Sequence, residues 1–253
     1  MELGSSTQIA VMALGAACAG FVQGLSGFAF GLVAMSFWAW VLDPRLAVAL
    51  SVFGSLTGQL IAAFSVRRGF NWRRLAPFVL GGLAGVPLGV AAVPWFDMDW
   101  FKAVLGALLV LWCPTMLVAR HLPAVRGSRA ADAVVGVAGG VMGGLGGFTG
   151  TLPTLWCTLR RMERDAQRAV IQNFNLAMLA VTMAMYLASG VVTRAMLPSF
   201  AIVAPAMLVP SLLGARVYTG LSEARFRQIV LGLLTASGVA LLASAVPRLL
   251  ARV

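Results

Sequence analysis

Gln23, Gly24, Ser26, Gly27 and Phe28 stand close together inside a long uncharged run, and Gly146, Gly147, Phe148, Thr149 and Thr151 repeat the pattern about half a chain later. Glycine at this density weakens a helix, and Gln23 and Ser26 are costly in lipid. Both stretches are therefore expected to be broken-helix tips. Where a helical hairpin turns inside a membrane, its returning arm begins with free backbone N–H groups and the positive end of a helix dipole, a setting that favours an anion. The glycines allow close backbone approach, and Ser26, Thr149 and Thr151 add neutral hydroxyl donors. The competing reading is close helix packing of the small-xxx-small kind. Recurrence at the same place in each half, each time followed by a phenylalanine, favours a site.

Gln172, Asn173 and Asn175 follow the second tip. Gln172 and Asn175, three residues apart, are neighbours on one helical face, so these amides either bind substrate or cap the broken backbone of the hairpin. Ser55, Thr57 and Gln59 are their rough counterparts in the first half and are expected to be structural. Acidic residues fall only at the ends of the apolar runs, and His121 lies in the central linker. No proton relay is thus expected at mid-membrane, and no metal site, cofactor or catalytic constellation is expected either, so the chain does not read as an enzyme.

These residues must be held by something. The chain has 253 residues, 60% hydrophobic and 11% charged, with uncharged runs along nearly its whole length. That is an all-α polytopic membrane protein. Its first apolar run lacks a basic leader and is too long for a signal-peptide core, so it is expected in the mature protein. The net charge of +11 comes from basic residues in short loops, which positive-inside topology explains without nucleic acid. Cys18, Cys113 and Cys157, each inside an apolar run, read as small buried hydrophobes.

Residues 7–42 carry no formal charge, and as one helix they would be about 54 Å long against a hydrocarbon core of about 30 Å. This run should fold back or break. Three further runs follow, the pattern restarts after a basic linker at 120–132, and short motifs recur in order, including Val86-Pro87 and Val209-Pro210. The expected organisation is an internal duplication, 1–122 and 123–253, within one membrane domain.

If all eight runs cross, ten basic residues fall on one side and nine on the other. If the first run of each half is a re-entrant hairpin and the N-terminus is outside, the count becomes fourteen inside against five outside. The second scheme obeys the positive-inside rule and makes two inverted repeats, each a broken or re-entrant hairpin plus three transmembrane helices.

The two glycine motifs, Asp43-Pro44-Arg45-Leu46-Ala47 after the first and Asp165-Ala166-Gln167-Arg168-Ala169 after the second, resemble the TauE/SafE sulfite exporter family of four-plus-four membrane transporters. The family's pattern tends toward a glycine triplet after the tip, where this chain has Ala29-Phe30-Gly31 and Thr149-Gly150-Thr151. The resemblance implies a multi-pass protein of the bacterial inner membrane that moves sulfite or organosulfonates, usually outward. Its expected partners are a small anion and the bilayer, with a homo-oligomer left open. The alternatives are an importer of the same anions and an accessory subunit whose glycines only pack helices.

Overall fold

The computed structural model describes residues 6–65, 69–95, 97–119, 123–217 and 223–252. Glu2, Arg67, Arg68, Arg120 and His121 lie outside the described residues, as do the side chains of Glu223, Arg225 and Arg227. The described residues form helices: α1 (Ser6–Ser26), α2 (Phe30–Trp38), α3 (Pro44–Ser65), α4 (Trp72–Ala92), α5 (Met98–Val118), α6 (Arg129–Gly146), α7 (Thr151–Leu159), α8 (Arg164–Ala188), α9 (Leu197–Val217) and α10 (Glu223–Leu250). Among them, seven are long and apolar enough to cross a membrane.

Polar residues at the loops start these helices. The Asp43 carboxylate accepts the Arg45 and Leu46 amides just before Pro44, a proline at the first helical position, where no donor is lost. Asn71, Asp97 and Ser128 cap α4, α5 and α6 in the same way.

The 7–42 run does not continue straight. It ends α1 at Ser26, and the nine-residue α2 turns back along it. The Trp38 indole donates to the Met12 carbonyl at 3.2 Å, and Gln8 donates to Val41 at 3.4 Å, so the 39–43 turn lies beside the start of α1. The second half repeats this: Trp156 and Arg160, at the end of α7, both bond Asp132 in the first turn of α6, at 2.8 and 2.7 Å. Each hairpin is one long arm and one short arm.

Glycine faces decide how the hairpins find partners. Gly20 and Gly24 of α1 press on Met207 and Ser211 of α9, and Gly214 on Phe21. Gly81, Gly85 and Gly89 of α4 press on Ala133, Val137 and Val141 of α6, with Gly136 and Gly140 returning the contact. In both pairs the numbers rise together, so the helices run parallel. α5 and α10 are antiparallel: Gly106 meets Gly238, while Asp99 meets Arg248 and Arg252. α3 and α8 pack against each other between these pairs, and the first helix of each half thus lies on the third long helix of the other.

Charge separates along the long axis. One end, the basic end, carries Arg126, Arg160, Arg164 and Arg168, and the loop at Gly69 joins it through a bond from Asn173. The far end gathers Asp97, Asp99, Lys102, Arg248 and Arg252, with the Lys102 ammonium 5.0 Å from the centre of the Trp40 ring. Trp72, Trp95 and Trp100 are exposed at helix ends, where amphipathic rings suit a membrane interface.

Candidate functional site

Both tips turn on a left-handed glycine, Gly27 at φ +83° and Gly147 at φ +79°, a conformation that side chains disfavour. Gly27 N–H returns to the Gln23 carbonyl and Gly147 N–H to Gly143, both at 2.7 Å. Both are the bond of the αL stop, and the second tip adds a bond from Phe148 N–H to Met142 at 3.2 Å. At the first tip the Ser26 hydroxyl oxygen accepts instead from the Phe28 and Ala29 amides, at 3.5 and 3.4 Å. Its own proton stays available to donate.

Neighbouring side chains bond carbonyls at and beside these breaks. Gln59 donates to Gly27, Ser51 to Gly146 at 2.6 Å, Tyr186 to Gly144 at 2.6 Å and Trp112 to Thr151 at 2.8 Å. Broken backbone inside a bilayer is tolerated only with such partners.

The tips lie side by side. A methyl on Gly31 would be 3.2 Å from the Phe148 ring, and one on Gly150 would be 3.2 Å from the Phe28 Cβ. Gly27 faces the Gln172 amide and Gly147 faces Val52. Each of these neighbours is eight residues from the start of its helix, α8 and α3 respectively. The tips are therefore about 12 Å in from opposite ends, overlapping rather than meeting at one midplane point.

The first tip borders open space. A cavity of about 310 Å³ is lined by Ser26, Gly27, Phe28 and Ala29, by Thr154 and Thr158 of α7, by Arg164, Asp165, Gln167, Arg168, Ile171 and Gln172 of α8, and by Trp112, Met116, Val230, Leu231 and Leu234 of α5 and α10. Its size sits at the lower end for small-molecule sites. The α8 residues give it a vertical order: Arg164 and Asp165 belong to the first turn of α8 at the basic end, Arg168 comes one turn deeper and Gln172 another turn deeper. Gln167 donates to the Thr158 hydroxyl at 3.1 Å and ties α8 to α7 at the middle level.

At the second tip the corresponding space is shut. Met142, Leu145 and Phe148 stand 120 positions after Val22, Leu25 and Phe28, yet they line, with Phe101 and Leu105, a gap of only about 10 Å³. Beyond it the far end is clamped. Arg252 bonds both Asp97 and Asp99, and Arg248 approaches Asp99 at 3.6 Å. The Asp97 carboxyl is held below its ordinary 3.8 by the Trp100 amide first and then by the Arg252 guanidinium. These interactions hold the negative charge through the neutral range.

The expected site residues separate in this geometry. Ser26, Gly27, Phe28 and Gln172 line the cavity. Gly24 faces the Ser211 backbone across the α1–α9 contact, and Gly146 faces the Phe148 ring. Gln23 is buried and donates to Ser55 at 3.1 Å, with its side-chain carbonyl oxygen unpartnered. Thr149 donates to Asn175 at 2.9 Å and Thr151 to the Phe148 carbonyl at 2.8 Å, so both hydroxyl protons are used within the protein. Asn173 donates to Ala169 at 2.8 Å and to Gly69 at 3.1 Å. It lies about 100° around the helix from Gln172.

Sequence reasoning missed Thr154, Thr158, Gln167 and Trp112. Thr154 is 5% exposed and its hydroxyl has no partner; the four-residue spacing from Thr154 to Thr158 and from Arg168 to Gln172 is the one signal that could have joined α7 to α8 here. Among the described residues no group of three His, Cys, Asp or Glu could hold a metal ion, and the cavity offers neutral donors below a cationic mouth.

A family model described as sulfite exporter TauE/SafE matches residues 12–241, which include both tips and every cavity residue. Neither the curated proteins nor the solved structures yield a match.

Proposed function

The chain belongs to the sulfite exporter TauE/SafE family, and from that premise we propose that it is a secondary transporter exporting small sulfur-containing anions, such as sulfite or organosulfonates, across the bacterial inner membrane. The observation that carries this is the cavity between the first tip and α8, with Gln172 at its floor and Arg164 and Arg168 toward its mouth. Cations at the mouth draw an anion in, and neutral donors below receive it without a fixed buried charge that would hold it too tightly to release.

The topology goes with this reading. The halves are inverted repeats, 1–122 and 123–253, each with a re-entrant hairpin. The support is direction: α5 and α10 are counterparts and run antiparallel, which needs α7 to reverse the chain, whereas eight simple crossings would make them parallel. By the positive-inside rule the basic end faces the cytoplasm. The cavity is then loaded from the cytoplasm while the far side is closed, as export requires.

An accessory-subunit reading has an observation of its own, since Gly20, Gly24, Gly140 and Gly144 are sealed against neighbouring helices. Gly27 is not, and it borders the cavity. The test is counterflow of labelled sulfite and a labelled sulfonate into proteoliposomes holding the purified protein. Saturable flux above protein-free vesicles is expected for at least one of them. Flux of neither rejects transport of sulfur anions.

A further inference from the structure

Two voids lie along the α5–α10 pair, one open and one shut. Val230, Leu231 and Leu234 of α10 line the open cavity, and Phe101, Val104, Leu105 and Leu108 of α5 line the shut gap at the second tip. The two helices carry matching dipeptides, Phe101-Lys102 and Phe226-Arg227. Arg227 stands three positions before Val230 and Lys102 three before Leu105, so in sequence Lys102 is to the gap what Arg227 is to the cavity. It is the chain's single lysine, and at 7% exposed it is too covered for one that snorkels to the membrane surface. Asp97 and Asp99 are taken by Arg248 and Arg252, and among the described residues no carboxylate pairs with Lys102. Its ammonium lies instead on the Trp40 ring, 5.0 Å from the centre. A buried cation without a counter-ion is costly, and a ring face returns only part of that cost. For stability alone, a methionine would serve better.

The Lys102–Trp40 contact also crosses a boundary that the clamp does not. Asp97, Asp99, Arg248 and Arg252 join α5 to α10, and these two helices pack mainly on each other, meeting the rest of the chain chiefly where α10 passes α2. Lys102 ties the pair to the turn between α2 and α3, where Trp40 sits. Resting on the transport reading above, we infer that Lys102 is the anion-binding residue of the far-end mouth, masked by Trp40 while the cavity is open at the basic end. When the α5–α10 pair moves off the first hairpin, the gap at Leu105 opens and the arginine–aspartate clamp travels with the pair intact. The ammonium then turns from the ring to the anion on its flexible stem. An oxyanion gives it charge-assisted hydrogen bonds that a ring cannot, and the two nearby carboxylates are already neutralised by arginine.

The test uses the full chain in proteoliposomes, with Leu105→Cys as reporter of the gap and its labelling read by peptide mass. An impermeant maleimide applied at the far end should react slowly in this parent. Trp40→Ala and Lys102→Met should each speed it about two- to thirtyfold, the range for loss of a cation–π contact, while Lys102→Arg, which keeps a cation on the ring, should stay slow. The double variant should match the single ones, because both remove the same contact. Unchanged rates in the single variants, or multiplied rates in the double one, overturn the masking. Binding is read separately, by counterflow of labelled sulfite and methanesulfonate without the reporter. Trp40→Ala and Lys102→Met open the mouth alike, but only the first keeps the ammonium. From the far end Lys102→Met should therefore need about ten- to a hundredfold more anion for half-saturation than Trp40→Ala, as for a lost bond to a charged group, and from the basic end the two should agree. Equal half-saturation from the far end overturns the binding role and leaves transport standing. If neither anion moves in any variant, transport and the binding role fall together.

Discussion

Gly20→Ala and Gly27→Ala add the same methyl group seven residues apart, and the structure gives them different outcomes. At Gly20 the new carbon would lie 2.6 Å from the Met207 carbonyl oxygen, where ordinary contact begins at 3.4 Å. The oxygen belongs to backbone and cannot swing aside, so α1 and α9 must part by about 0.8 Å, a gap that forfeits about a quarter to a half of the dispersion energy of the atoms it separates. Overpacking of this kind costs about 1–3 kcal/mol. At Gly27 the nearest atom is the Gln172 amide nitrogen at 3.5 Å, and the cost is the left-handed φ of +83°, about 1–2 kcal/mol for a residue with a Cβ. Only there does the methyl enter the cavity, against an amide that can donate to the anion, and loss of one such bond weakens affinity about two- to tenfold. The assay is denaturant unfolding in mixed micelles paired with anion titration on the folded fraction. Gly20→Ala should lose stability and keep its affinity, while Gly27→Ala should lose both. Equal affinity loss in the two variants, or undiminished stability in Gly20→Ala, would show that the α1–α9 contact and the tip are not distinct in the way described.

Cysteine placed at Asp43 and at Arg161 should be labelled by impermeant reagents from opposite faces of the membrane, Arg161 from the cytoplasm; labelling of both from one face rejects the re-entrant scheme. Asp132→Asn weakens the bonds that hold the end of α7, and thermal unfolding should show a loss of about 1.5–3 kcal/mol, the range for hydrogen bonds to charged groups; no loss would mean that the α6–α7 hairpin is held elsewhere. Because the Asp97 pKa is lowered in the folded protein, the stability it contributes is present above its ordinary 3.8 and is lost as pH falls further, through the folded value. Accessibility of a far-end cysteine should thus be flat from pH 5 to 8, and a rise within that window would exclude Asp97 as its cause. Amide replacement of each acid other than the cavity-lining Asp165 should leave anion binding largely intact, and a single such Asp or Glu whose replacement abolishes binding in a folded protein would contradict the absence of a mid-membrane acid.

The hairpins were legible because length and chemistry agreed: an uncharged run too long for one crossing, a glycine where it had to turn, and Asp43-Pro44 to restart the helix. Partner choice was not legible. Gly20 and Gly24 announce a close approach, but a small residue carries no address, and nothing local says that α1 meets α9 rather than a helix of its own half. At the site, Gln172 was visible as an amide in an apolar run. Thr154 was not, since a threonine in a helix usually bonds back to its own turn, as Thr158 does to the Thr154 carbonyl at 2.8 Å. Which hydroxyl is left over emerges only once α7 lies beside α8. Thr149 and Thr151 illustrate the converse, being donors by type whose protons the fold had already used.

The exchange of partners between the halves also sets a timetable for synthesis. α4 and α6 touch through residues about fifty positions apart, Gly85 and Val137 among them, so a ribosome adding about 5–20 residues per second completes that pair within about ten seconds. Gly20 must wait for Met207, about 10–40 s at the same rate. For that interval α1 sits in the bilayer with its glycine face toward lipid, open to any other helix with a small-residue stripe. A chain that stops before α9 should therefore keep its α4–α6 centre and present α1 unpaired, the form in which a membrane quality-control protease would recognise an unfinished molecule.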